Sequence, residues 1–255
     1  MQNSFATGLK HWRSTRRVSQ LELGLDSNVS ARHISFLETG RAAPSRAMVL
    51  RLADALDIPR SPRNTLLNAA GFATVYQERP LDSPDLDQVS EAIDWMIMRH
   101  DPYPAIVFDR LWRVVRVNNT GMATLSVFGI NIGDSLLDAF VFSGKSHELF
   151  DNWPEVASHM IHQLRAQSAR LGGVEKLDQA ATILAADPDV KNFNTPTPLP
   201  AVIPTRYKIG GQVLSMFTTL AHFSTAEDIA LADLQIELMF PADEPTKQFL
   251  LSAMG

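Results

Sequence analysis

Residues 19–41, SQLELGLDSNVSARHISFLETGR, place two short helical patterns on either side of a three-residue polar turn. Ser19 followed by Glu22 is a capping-box start, and Ser30 caps the second helix. Asp26, Ser27 and Asn28 form the turn, with Asn28 able to adopt the left-handed conformation, and Val29 is an apolar plug at the junction. So short a corner confines both helices to one small bundle. It is also the spacing that lets one helix cross a phosphate backbone while the second enters a major groove. Leu21, Leu25, Ile34 and Leu37 are expected inward, leaving Ala31, Arg32, Ser35 and Phe36 outward on the second helix.

The neighbouring sequence completes a five-helix bundle. The spacing predicts helices over 8–15, 19–25, 30–38, 45–56 and 60–70, with Ser45 as a cap and Gly40 and Gly71 as stops. Met48, Leu52, Ala55 and Leu56 are expected on the buried face of the fourth. Charge separates this N-terminal segment from the rest of the chain. Residues 1–72 carry 10 Lys/Arg against 5 Asp/Glu, whereas the remainder carries 13 against 23, although the chain as a whole has net charge −5. A basic module joined to an acidic one points to a polyanion-binding unit with a cargo domain.

Residues 73–87 hold two prolines and several acids without a sustained apolar period, and read as a linker. Beyond it the pattern is mixed: a helix in QVSEAIDWMIMRH, two strands in AIVFDRLWRVVRVN joined by a tight turn near Asp109 and Arg110, and a long helix in PEVASHMIHQLRAQSARL. After the Pro-rich NTPTPLPAVIP come a hairpin turning at Gly210 and Gly211, a strand in LQIELMF and a closing helix. The expected fold class is α+β, with domains over 1–72 and 88–255, the second an antiparallel sheet with packed helices. Without cysteine, a signal-type apolar core or a long apolar run, the chain is expected to be cytoplasmic, without membrane insertion and without cofactor.

The first segment, SQLELGLDSNVSARHISFLETGRAAPSRAMVLRLADALDIP, resembles the helix-turn-helix domain of the xenobiotic-response-element (Cro and lambda-repressor-like) regulators. The resemblance implies double-stranded DNA as partner. It places Gln20 near the start of the second helix on DNA, Ala31, Arg32 and Phe36 toward bases, and Arg41 and Arg46 near phosphates. Ser30 and Ser35 complete the expected face, and Ala31 and Phe36 stand where polar readers are common. Arg13 and Glu38 match a partly buried ion pair of that family. The later motifs YPAIVFDRLWRVVRVNNTG, NWPEVASHMIHQLR and FSTAEDIALADLQIELMFPADEPTKQFL resemble the MmyB-like ligand-binding domain, a PAS-like fold, with Ser224 where Gly is frequent. That resemblance implies a transcription regulator sensing an apolar small molecule, a fatty acid being the leading class.

Phe108, Trp112, Met122, Phe128, Phe140, Phe142, Trp153, Met160, Leu164, Met216, Phe217 and Phe223 are the apolar side chains expected around such a ligand, and they equally suit an ordinary core. Arg206, Arg116 and Arg113 are the candidates for holding an acidic head. A homodimer on a roughly palindromic operator is expected, because one such module reads few base pairs. Two other readings stay open. The second domain could serve dimerisation or protein interaction without a ligand. Alternatively, Glu155, His159 and His162, which can share a helix face, could hold a metal in an enzyme, although no catalytic motif accompanies them.

Overall fold

The computed structural model describes residues 4–194, 201–223 and 226–252. Ser224 and most of the Pro-rich run therefore lie outside the described residues. The chain forms two compact units, one of residues 1–78 with 166–175 and 227–229, the other of residues 79–165, 176–226 and 230–255.

The first unit contains α1 (Phe5–Thr15), α2 (Gln20–Ser27), α3 (Ala31–Glu38), α4 (Arg46–Ala55) and α5 (Arg60–Ala69). Four of these helices begin in the same way. Ser4, Ser19, Ser30 and Ser45 each accept the backbone N–H three residues on, which satisfies a donor that the helix itself cannot. Ser19 and Glu22 complete the expected capping box, and Asn28 turns the chain at φ 53° and ψ 46°. Leu9, Leu23, Ile34, Leu37, Leu52 and Leu67 form the centre of one core.

Two inward assignments are corrected. Leu21 and Leu25 are 64% and 74% exposed, and α2 instead buries Leu23, Gly24 and Ser27. The cause is close helix approach. A Cβ at Gly24 would lie 2.6 Å from the Val29 carbonyl oxygen, so α2 meets the start of α3 on its glycine edge and the flanking leucines turn out. On α4 the buried face is Val49, Leu52, Ala53 and Leu56, one position round from the expected stripe.

The second unit is built on five antiparallel strands, β1 (Ala105–Phe108), β2 (Val114–Val117), β3 (Thr205–Ile209), β4 (Gln212–Ala221) and β5 (Gln235–Pro241), in the order β2-β1-β5-β4-β3. Gly210 and Gly211, at φ 58° and 79°, make the β3–β4 turn as the sequence predicts. The β1–β2 connection is longer than a two-residue turn. Asp109 Oδ1 accepts from the N–H groups of Leu111 and Arg113, and Trp112 is held at φ 61°.

Helices cover both faces of this sheet. Helix α6 (Asp87–Met98) packs Ile93 and Ile97 against Ala105, Val107 and Ile236 on one face. The opposite face is covered by α7 (Asn119–Val127), a π-helical turn at Asp138–Phe142 and α9 (Trp153–Leu171), while α8 (Ser146–Leu149) leads into Phe150, which bridges to Tyr207 on the edge strand β3. The remaining helices are α10 (Glu175–Ala186), α11 (Pro188–Lys191), α12 (Ile229–Ala232) and α13 (Glu244–Ser252). This is the α+β, sheet-with-helices architecture that the residue pattern predicts. No helix among the described residues is long and apolar enough to cross a membrane.

Candidate DNA-binding face and ligand cavity

The N-terminal unit orients its helix pair through a shared carboxylate. Arg13 on α1 grips Glu38 on α3 with two bonds, Nε to Oε1 at 2.6 Å and Nη2 to Oε2 at 3.0 Å. The Gln20 amide on α2 donates to the same Oε2 at 2.8 Å. Glu38 thus joins three helices, and its hydrogen bond raises the Arg13 guanidinium above its ordinary value. Arg32 is exposed and its guanidinium lies 5.4 Å from the Phe36 ring centroid, so the two present one surface. Ala31 and Ser35 are half-buried on the same helix, Ser30 caps it, and Arg41 and Arg46 are exposed.

In the second unit the sheet and its covering helices enclose a cavity of about 510 Å³. Strand alternation supplies the floor: Ile106 from β1, Glu237 and Met239 from β5, Thr218 from β4, Thr205 and Tyr207 from β3. The roof is apolar, with Leu125, Phe128, Leu136, Phe140, Phe150, Val156 and Met160, while exposed His159 and half-buried Gln163 lie where residues 201–203 also reach the cavity. Trp112, held by the Asp109 turn in a left-handed backbone that costs a bulky residue about 1–3 kcal/mol, contributes its indole to the wall.

Asn118 fixes the edge of this wall. Its Oδ1 accepts from the N–H of Ala105 at 2.9 Å and of Gly121 at 2.8 Å, and its Nδ2 donates to the Tyr103 carbonyl at 2.8 Å. One buried side chain therefore starts β1 and caps α7 together.

The polar floor is unusual. Among the described lining residues there is no lysine or arginine, and the ionisable ones are Glu237, Tyr207 and His159. Burial pushes the Glu237 carboxyl up to about 7, opposed by a hydrogen bond from the Thr218 hydroxyl. Burial and the nearby Glu237 charge raise the Tyr207 phenol as well.

Residues 89–252 match the MmyB-like transcription regulator ligand binding domain, and residues 4–66 match a helix-turn-helix domain. The chain belongs to the MmyB-like transcription regulator family. Comparison with curated proteins finds no match. Among solved structures, the PAS domain of Bordetella pertussis BvgS is similar over 66% of this chain and 95% of that one, at 15% identity and TM-score 0.32. An RNA-binding light-oxygen-voltage receptor is similar over 98% of this chain and 62% of that one, at 11% identity and TM-score 0.30. As an MmyB-like regulator, the protein combines a DNA-binding module with a ligand-sensing domain.

Of the apolar residues expected around the ligand of this MmyB-like domain, Trp112, Phe128, Phe140 and Met160 line the cavity. Phe108 packs behind Trp112, with ring centroids 5.3 Å apart, and Met122 is half-buried on α7. Leu164 and Met216 are fully buried without lining it. Trp153 stacks on Phe150 and donates to Asp187, while Phe142 is partly exposed with Lys176 over its ring. Phe217 alternates with Thr218 and stacks on Phe240, and Phe223 joins the cluster under α6, so both lie away from the cavity.

The three arginines are not brought to the cavity. Arg206 faces Asp151 at 3.5 Å, Arg116 pairs with Asp94 and Ser90, and Arg113 is exposed. Glu155, His159 and His162 do not converge as metal ligands either. Among the described residues, the group that converges is His147, Asp187 and Asp189. Tyr207, Thr218 and Glu237 are absent from the residues expected at the ligand, although period-two alternation in TRYKI contains the signal for Tyr207.

Proposed function

We propose that the protein is a sequence-specific regulator, of the xenobiotic-response-element type, that reads a roughly palindromic operator as a homodimer. Its DNA-binding residues are Gln20, Ser30, Ala31, Arg32, Ser35, Phe36, Arg41 and Arg46, and the sensor domain takes an apolar small molecule with an acyl chain, the fatty-acid class being the one the family resemblance suggests. The observation that carries the sensor reading is the cavity of about 510 Å³ with an aromatic and aliphatic roof, within the range of about 300–1,000 Å³ usual for small-molecule sites. The exposed Arg32, Arg41 and Arg46 support the DNA reading.

An effector alters DNA binding only by the difference in its affinity for the two states. The test is therefore paired. Molecules extracted from the purified protein are identified by mass spectrometry, and operator affinity is measured with and without an acyl compound of that class. A co-purified acyl compound that both raises the melting temperature and changes operator affinity supports the reading. Stabilisation with unchanged operator affinity reduces the domain to a lipid carrier, and neither effect favours a ligand-free interaction module.

A further inference from the structure

We propose that Trp112 is the stop for the ligand's acyl chain, so that its indole sets the longest chain the cavity takes. This rests on the acyl-chain reading of the cavity and adds the direction of the chain and its limit. The two ends of the cavity differ. At one end Ile106, Trp112, Leu125 and Leu136 are all buried, whereas at the other Ala201 and Val202, which lead into β3, are exposed. The lining strands run from β1 across β5 and β4 to β3, and β2 contributes nothing among the described lining residues. Three strand spacings of about 4.8 Å separate the two ends, a path of about 14 Å. An apolar chain entering on the open β3 side therefore runs across the sheet and ends at β1.

The floor stops at β1 because the indole covers the rest of it. Strand β1 pairs with β5 in unbroken register, Ile106 opposite Glu237 and Phe108 opposite Gln235. Ile106 and Phe108 thus share a face, and both would be expected to floor the cavity. Only Ile106 does so, since Trp112 lies against Phe108 with ring centroids 5.3 Å apart.

The backbone makes this stop a fixed one. Trp112 stands at φ 61°, a region that glycine enters freely and bulky residues rarely. Its N–H donates to the Asp109 carbonyl at 2.9 Å, and its own carbonyl accepts from the Leu136 N–H at 2.8 Å. The Asp109 carboxylate takes the N–H groups of Leu111 and Arg113 on either side. Moving the indole aside for a longer chain would break this turn, so the wall holds and the chain has to fit.

The test uses the full-length protein with the straight-chain saturated fatty acids from octanoate to octadecanoate, below their aggregation concentrations, and affinity is read by calorimetry. In the parent each added methylene should tighten binding about fourfold until the chain meets Trp112, and further methylenes should add nothing. Trp112→Gly, which suits the backbone, should move that break to chains longer by at least about two carbons, because an indole occupies the room of several methylenes. A second readout on the parent decides should this variant fail to fold. Trp112 is the only tryptophan among the described lining residues. A fatty acid brominated on its terminal carbon should therefore quench tryptophan fluorescence more strongly than the isomer brominated beside the carboxylate, since the heavy atom acts only at short range. An unmoved break in Trp112→Gly, a parent affinity that climbs through the whole series, or terminal bromine that quenches no more strongly than its isomer would each overturn the stop while leaving the acyl-chain reading in place. Failure of every chain length to bind would overturn both.

Discussion

Arg13 and Glu38 tie the first helix to the third through two parallel bonds, with Arg13 16% and Glu38 3% exposed at their side chains. A buried pair contributes little net stability as a unit, but removing one partner strands the other's charge, at a cost of about 3–5 kcal/mol. Glu38→Ala should therefore unfold the N-terminal unit at markedly lower urea, because it leaves Arg13 and Gln20 without their shared acceptor. An unchanged transition midpoint would show the clasp to be dispensable.

Arg32 and the Arg41/Arg46 pair should separate base reading from charge. Arg32→Ala is expected to lose about 1–3 kcal/mol of discrimination at one position of each half-site. Neutralising Arg41 or Arg46 should weaken all sequences alike and lower the salt slope by about one unit per lost contact. Binding titrations across operator variants and salt concentrations distinguish the two, and an Arg32→Ala protein with the parent's base preferences would remove that residue from the reading face.

Assembly has its own measurement. If the operator is a palindrome read by two copies, sedimentation of the protein on operator DNA should give two chains per duplex, with half-sites spaced by about one helical turn or a multiple of it. One chain per duplex at saturation is the contrary result.

Asn118 should be the polar residue to which the ligand domain is most sensitive. Asn118→Ala abandons the buried N–H groups of Ala105 and Gly121 and the Tyr103 carbonyl, each unmet group costing about 1–3 kcal/mol. Gly121→Ala should also destabilise, since its Cβ would stand 2.7 Å from the Ala105 carbonyl oxygen. Urea unfolding followed by tryptophan fluorescence reports both, and wild-type midpoints in both variants would contradict this account of the junction.

Glu237 should also leave a signature in stability against pH. Its carboxyl is raised from 4.5 to about 7 in the folded protein, so the folded state holds the proton more tightly than the unfolded chain. Its contribution is complete below about pH 4.5 and declines as pH rises toward 7, by roughly 3 kcal/mol in total. Above that range it is constant. Glu237→Gln should flatten this part of the curve and be the more stable protein at neutral pH. Parallel parent and variant curves between about pH 5 and pH 7 would place the acid in a well-solvated setting instead.

The sequence by itself determined the elements whose causes are local. Serines at 4, 19, 30 and 45 meet orphan N–H groups within their own first turns, and Ser19, Ser30 and Ser45 are readable as caps for that reason. Asn28 and the Gly210–Gly211 turn depend on single-residue backbone preferences, and Ile34 and Leu37 on a short helical period. Tertiary structure decided what depends on neighbours distant in the chain. Leu21 and Leu25 match an inward helical pattern, yet contact at Gly24 turns them to solvent. Alternation in LQIELMF suggests Ile236 and Leu238 inward and Glu237 outward, because a sheet ordinarily buries one face. Here both faces are covered, α6 taking Ile236 and Leu238 while the opposite helices enclose Glu237. No local pattern marks a strand with two interiors, so the position of that acid, and with it the chemistry of the cavity, was set only when the helices closed over the sheet.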